Sequence, residues 1–220
     1  MLALAGAAGA ALMFIADLVL YLPSRRDQLT AAHYFKCIDP NGDALHSSSM
    51  AEIDDARLML GGALGPIASV LYTAGYFNLY GRLRPEQGAL LPAAACVGLS
   101  TMMVVGGCYH ALFVFTGFIA KAFSEGNRAA NATLGRLLGR HRAYIWQVYR
   151  WAAAPALLGS SALALCILTR ETACPRWSAL LVPALSAPLK LLLRRRSAGG
   201  LVLCGGLTNL WNLAMFLATG

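Results

Sequence analysis

The sequence predicts an all-α membrane protein, a polytopic bundle of about six transmembrane helices. Of its 220 residues, 58% are apolar and 13% are charged. The mean hydropathy of +0.58 exceeds that of soluble globular domains. The apolar residues form six long blocks without the alternation of a membrane β-barrel. A helix crosses a bilayer core of about 30 Å with about 20 apolar residues, so we expect residues 1–220 to form a single transmembrane domain.

Six predicted spans follow one another along the chain. They cover residues 2–22, 58–80, 90–120, 143–168, 177–193 and 201–219. The first lacks a preceding Lys or Arg and contains Asp17, which favours a retained span over a removable signal peptide. The third is longer than a bilayer requires, so it either tilts or breaks near Gly106 and Gly107.

Basic residues are strongly biased toward one side of the predicted membrane. Fourteen of the 18 Lys and Arg residues fall in the first, third and fifth loops or beside them. Because basic residues are retained in the cytoplasm, both termini are predicted to be extracytoplasmic or lumenal. The net charge of +8 then reflects this topology and an attraction to anionic lipid headgroups, rather than binding of nucleic acid.

The longest predicted extramembrane segment is the cytoplasmic loop 23–56. Its acidic residues imitate the start of a calcium loop at Asp39, but Ala44 and Met50 stand where such a loop requires Gly and Glu. We therefore expect no metal site and no cofactor.

Two further features border the predicted spans. Asp54 and Asp55 are expected to cap the second helix. Residues 124–142 combine Leu and Arg at helical spacing, which predicts an amphipathic segment in the cytoplasmic interface.

Gly61 and Gly65 open the second span, and such small residues allow helices to pack closely inside a membrane.

Ionisable residues inside the spans are the strongest indication of function, because they are costly at membrane depth. Asp17, His110 and Arg150 belong to three spans and form what we name the polar layer. At about 1.5 Å per residue, each lies about 8 to 9 Å to the cytoplasmic side of the midplane. Asp17 and His110 are candidate catalytic acid–base partners, and Arg150 is a candidate to bind an anionic headgroup. Alternatively, the pair only fixes helix packing and Arg150 extends to the interface.

Further polar side chains near this layer are candidates to bind a substrate. They are Tyr21, Tyr109, Gln147, Asn209 and Asn212. The first three lie within one helical turn of a residue of the polar layer, and the two asparagines share a face of the sixth span. Tyr72, Tyr76 and Tyr80 recur every four residues along the second span, a pattern more typical of packing than of a ligand cage.

Three stretches of the chain carry a family resemblance. They are Ala16-Asp17-Leu18-Val19-Leu20-Tyr21, GGALGPIASVLYTAGYFNLYGRLRP at 61–85 and GGCYHALFVF at 106–115. In these stretches the chain resembles an uncharacterised family of six-span membrane proteins from bacteria and protists. The resemblance implies six spans and carries no function.

Two functional hypotheses follow, and they leave open whether the chain is an enzyme. The first is a membrane-embedded enzyme or binder of a lipid-like amphiphile that uses the polar layer. The second is a small-solute or proton-coupled transporter or channel, for which 220 residues is a small size unless the chain forms a homo-oligomer. A structural membrane partner without a small-molecule site is the remaining alternative.

Overall fold

A computed structural model of the chain describes residues 1–21, 53–84, 86, 88–125, 128–194 and 198–220. Side chains are described throughout these ranges except at Tyr21 and Arg142 and within 123–132 and 191–205. The described residues are helical, and no strand occurs among them. The predicted all-α fold class is therefore confirmed.

The described residues form six α-helices. These are α1 (Leu2–Tyr21), α2 (Asp55–Arg82), α3 (Leu90–Glu125), α4 (Arg128–Thr169), α5 (Ser186–Arg194) and α6 (Ala198–Thr219). Two 3-10 segments, Arg176–Leu181 and Pro183–Leu185, connect α4 to α5. Four helices of the described part, α1 to α4, are long and apolar enough to cross a membrane. A count of six spans stays a prediction.

The start of α2 follows the predicted capping pattern. The Asp54 side chain accepts a hydrogen bond from the backbone N–H of Arg57 at 2.8 Å. It satisfies one of the N–H groups that a first helical turn leaves unpaired. Asp55 lies in that turn, where its charge complements the helix dipole, and it also pairs with Lys121 of α3.

The third helix is continuous over 36 residues, so it does not break at Gly106 and Gly107. Gly107 instead permits close contact with α2. A Cβ atom at Gly107 would lie 2.9 Å from the carbonyl oxygen of Gly65 and 2.9 Å from Oγ of Ser69. The small residue therefore serves helix packing rather than a bend.

The prediction of one continuous fifth helix over 177–193 is wrong. This stretch contains the two 3-10 segments and then α5, which has only nine residues. Pro183 begins the second 3-10 segment and Pro188 lies in the first turn of α5. Val182, the residue before Pro183, has an extended backbone with ψ 137°, the conformation that a following proline favours, and it interrupts the helix at this point.

The predicted segments outside the membrane fall only partly within the described residues. Residues 22–52, which form most of the predicted loop 23–56, lie outside them. The stretch 128–142 is the first part of α4, a helix of 42 residues that continues to Thr169. It is therefore not a separate helix, and its position in the membrane interface stays a prediction.

The helices form a closed ring in which α4 packs on α3, α3 on α2, α2 on α1 and α1 on α6. The first 3-10 segment contacts both α4 and α6 and closes the ring. Gly6 of α1 and Gly75 of α2 lie so close that a Cβ atom at Gly6 would be 2.7 Å from the Cα of Gly75. This packing brings polar residues of α1, α2, α3 and α6 together.

Candidate functional site

Two residues of the polar layer, Asp17 of α1 and His110 of α3, form a buried acid–base pair. The Nε2 atom of His110 lies 3.2 Å from Oδ1 of Asp17. Their exposed fractions are 4% for Asp17 and 6% for His110. A carboxylate away from water requires such a partner, because an isolated buried charge is very costly.

Glycines of α2 make room for this pair between α1 and α3. A Cβ atom at Gly65 would overlap the Cβ of His110 and lie 2.9 Å from its Cγ. One turn earlier, a Cβ atom at Gly61 would lie 2.6 Å from Cγ of Leu20 in α1. The bare face of α2 therefore lets side chains of α1 and α3 meet across it.

A chain of hydrogen bonds extends the pair to α6 and α2. Asn209 Nδ2 donates to the second carboxylate oxygen of Asp17 at 2.7 Å. The Tyr72 hydroxyl donates to Oδ1 of Asn209 at 2.8 Å. Tyr72 and Asn209 are both buried. We name Asp17, His110, Asn209 and Tyr72 the buried polar network.

A second buried pair lies one turn along α2 and α6. The Tyr76 hydroxyl donates to Oδ1 of Asn212 at 2.5 Å, and Asn212 Nδ2 donates to the carbonyl oxygen of Thr208 at 2.9 Å. The Tyr72 and Tyr76 rings are stacked with centroids 6.0 Å apart. Both pairs connect α2 to α6, and of the two asparagines that the tyrosines hold, Asn209 also contacts Asp17 of α1.

The second ring nitrogen of His110 makes no hydrogen bond in the described part of the chain, although it is buried. Because a carboxylate oxygen accepts hydrogen bonds, Nε2 carries the hydrogen that points at Asp17. Nδ1 then holds a lone pair in the neutral ring and is the atom at which a further proton can add. The protonated ring would lie beside the Asp17 carboxylate, which compensates its charge.

The other predicted site residues lie outside this network. Arg150 and Gln147 are exposed on α4, and exposure of Arg150 agrees with the alternative that it extends to the interface. Tyr109 is half-buried and packs edge-on against Phe113, with ring centroids 4.4 Å apart. The side chain of Tyr21 lies outside the described residues. The structure thus brings Asp17, His110 and Asn209 together but does not place Arg150 with them.

Two tyrosines of the site, Tyr72 and Tyr76, were assigned to packing from the sequence. They do pack, but their hydroxyls also hold Asn209 and Asn212. The sequence did contain one indication of this contact. The two tyrosines are four residues apart and the two asparagines three apart, so each pair lies on one face of its helix. The tyrosine face and the asparagine face meet only because α2 and α6 lie on either side of α1. The residue spacings do not reveal this arrangement of helices.

A second histidine, His141 of α4, has a different environment. Its Nε2 atom lies 3.1 Å from the carbonyl oxygen of Leu112 and 3.1 Å from Oγ1 of Thr116, both in α3. It therefore joins α4 to α3. Among the residues that the structure describes, no group of three or more His, Cys, Asp or Glu side chains is placed to hold a metal ion.

The fold and the network define an apolar helical protein with helices of membrane-spanning length and a buried acid–base pair. The chain belongs to the DUF6796 family, described as a family of unknown function, which it matches over residues 1–219. This membership confirms the resemblance to an uncharacterised family. No curated protein and no solved structure matches the chain.

Proposed function

We propose that the chain is an integral membrane protein that binds and releases a proton at the Asp17–His110 pair and couples this step to movement of protons or a small solute. One observation carries the proposal. The Nδ1 atom of His110 is buried without a hydrogen-bond partner in the described part of the chain, while Nε2 of the same ring lies 3.2 Å from Asp17. The pair therefore offers a vacant proton acceptor whose protonated form is compensated by a carboxylate.

The cost of the pair supports a functional role over a packing role. Burying two ionisable groups carries a desolvation penalty, and well-packed apolar side chains often stabilise a protein as well or better. Ionisable residues that face the interior of a membrane bundle commonly mark ion or proton pathways. Asp17 and His110 are costly in this way because both are buried. They also face each other across the interior of the bundle, as residues of a proton pathway would.

Asn209 and Tyr72 have a positioning role in this proposal. An amide is not an acid or base at neutral pH, so Asn209 holds the Asp17 carboxylate without carrying the proton. Tyr72 fixes the amide in turn by donating to its oxygen. The proton therefore enters and leaves at Nδ1 of His110, and the carboxylate balances its charge.

A membrane-embedded enzyme or binder of a lipid-like amphiphile is the second candidate. An Asp–His pair has the chemistry of general acid–base catalysis, and this favours an enzyme. That hypothesis also requires Arg150 to hold the headgroup near the pair, whereas Arg150 is exposed on α4. Proton binding needs only the residues that are brought together, so the geometry supports it better.

The orientation and environment complete the proposal. The charge bias favours a cytoplasmic position for the Asp54 end of α2 and, with six spans, a position on the other side for both chain termini. The lipid bilayer and its anionic headgroups are then the immediate partners of the basic loops. Assembly into a homo-oligomer would give a transport unit larger than one 220-residue chain.

Proton flux into liposomes tests the proposal. Purified protein is reconstituted with an internal pH-sensitive dye, and a potassium gradient with valinomycin drives proton entry. We expect entry well above that of empty liposomes, and a drop of at least tenfold in Asp17→Asn and His110→Gln. These substitutions keep side-chain size but remove the charge or the basic nitrogen.

Matched controls separate a specific effect from damage to the protein. Asp54→Asn changes an exposed aspartate and keeps a capping side chain, and His141→Ala removes a histidine outside the network. Both controls should retain the wild-type rate. Rates equal to those of empty liposomes for the wild type, or unchanged in both pair variants, would contradict proton movement at this pair.

A further inference from the structure

A cavity of about 380 Å³ lies between α4 and the 3-10 segments, away from the acid–base pair. One face of α4 lines it with Ser160, Ser161, Ala164 and Leu168. Ser160 and Leu168 are eight residues apart, so this wall is about 12 Å long at 1.5 Å per residue. The shape is that of an elongated groove along α4.

The groove exists because its walls carry small side chains and an irregular backbone. Ser160 and Ala164 are one turn apart on α4, opposite Ala179 and Ala184 of the 3-10 segments. A hydrogen bond from the backbone N–H of Ala184 to Oγ of Ser160, at 3.2 Å, joins the second 3-10 segment to α4. The extended backbone of Val182, before Pro183, separates the two 3-10 segments that face α4 here.

The lining combines an apolar wall with one positive charge. Arg176 is the charged residue among those that line the cavity, and its side chain is exposed. It begins the first 3-10 segment, close to the end of α4 at Thr169, whereas Ser160 lies about two turns deeper. A guanidinium group binds carboxylates and phosphates through paired hydrogen bonds. The lining is therefore mostly apolar and carries one exposed positive charge at the start of the first 3-10 segment.

We propose that this groove binds a single-chain amphiphile with an anionic headgroup, whose alkyl chain lies along α4 and whose carboxylate or phosphate contacts Arg176. The charge complementarity selects an anionic headgroup over a neutral one. The volume of about 380 Å³ is that of a pocket for one small ligand, which suits a single alkyl chain. This site shares no residue with the Asp17–His110 pair, and the inference does not rest on the proposed proton binding.

Native mass spectrometry of the purified protein in a mild non-ionic detergent tests this site. The probes are oleate, oleoyl lysophosphatidic acid and oleyl alcohol, added over a range of concentrations. We expect saturable one-to-one binding of the anionic probes at concentrations at least tenfold lower than for the alcohol. The relative affinities of oleate and the lysophosphatidic acid show which anionic headgroup the site prefers.

Two substitutions with matched controls locate the binding site. Arg176→Gln should weaken binding of the anionic probes about tenfold and leave the alcohol unchanged. Ser161→Leu, an exposed position on the groove wall, should weaken all three probes about tenfold by filling the groove. Arg140→Gln and Ala153→Leu change exposed positions of α4 outside the lining and should have no effect.

Other outcomes overturn the inference. It fails if the wild type binds no anionic probe saturably, if it binds the alcohol as well as oleate, or if both groove variants bind like the wild type. Asp17→Asn should bind the probes normally, so failure of the groove proposal and failure of the proton proposal remain distinguishable.

Discussion

Gly65 of α2 lies against His110 of α3 so closely that a Cβ atom at position 65 would overlap the Cβ of the histidine. The same histidine reaches Asp17 with its Nε2 atom at 3.2 Å. The acid–base pair therefore depends on the absence of a side chain at Gly65. This dependence connects a packing feature of the sequence directly to the candidate site.

Replacement of Gly65 by Ala should displace the His110 ring. We expect a loss of about 1 to 3 kcal/mol of unfolding free energy, the usual cost of overpacking, together with reduced proton flux. Unfolding in mixed micelles with increasing SDS measures the first effect. Gly106→Ala is the control, because in the described part of the chain a Cβ atom at Gly106 would meet no atom within 4 Å apart from its own helical turn. Equal stability of the two variants would contradict the close contact.

Asn209 should couple Asp17 energetically to Tyr72. Asn209→Leu leaves a carboxylate oxygen and a hydroxyl without their partner, and each unpaired buried group costs about 1 to 3 kcal/mol. Tyr72→Phe removes only the hydroxyl and should cost less. The double variant should be more stable than the sum of the two single losses predicts, because the hydroxyl stranded by Asn209→Leu is then gone. Strict additivity in the same unfolding assay would contradict the hydrogen-bonded chain.

The control for this cycle is Tyr80→Phe, two turns along α2 from Tyr72. Tyr80 is half-buried, whereas Tyr72 is fully enclosed. Its substitution should change stability by less than that of Tyr72 and should be additive with Asn209→Leu.

The sequence predicted that Asp17 and His110 are partners, but not that Tyr72 joins them through Asn209. Asp17, His110 and Asn209 could be selected because polar groups in apolar spans are costly. Counting residues from the middle of each span also included Arg150, which is exposed, since depth does not reveal which face of a helix points inward. The regular spacing of Tyr72, Tyr76 and Tyr80 favours packing, and it does not reveal that the partner of Tyr72 lies 137 residues away on α6.

The fold, like the site, was predicted only in part. Long apolar blocks predicted α1 to α4, because a membrane span is a local property of composition and length. The fifth block has a similar composition but is interrupted at Val182, where the backbone before Pro183 is extended, and hydropathy does not report such a change of backbone conformation. The 3-10 segments that result form one wall of the cavity, so the most informative departure from the prediction lies at a candidate binding site.

Orientation can be tested by labelling single cysteines at the two ends of α2. Arg84→Cys and Asp54→Cys introduce exposed thiols at opposite ends of that helix. Both are made in a protein whose six native cysteines are replaced by serine or alanine. In intact cells or right-side-out vesicles, a membrane-impermeant maleimide should label position 84 and not position 54. Permeabilisation should expose position 54. The reverse pattern would contradict the charge-based topology.

The protonation state of His110 tests the central claim most directly. Nitrogen-15 NMR of the histidine-labelled protein in lipid, with His110→Gln used to assign the signal among the four histidines, reports both ring nitrogens. As the pH is lowered over the range in which the protein stays folded, the Nδ1 signal should convert from the lone-pair form to the protonated form while Nε2 stays protonated. An Nδ1 signal that remains unchanged throughout that range would show that the pair binds no additional proton, and would contradict the account.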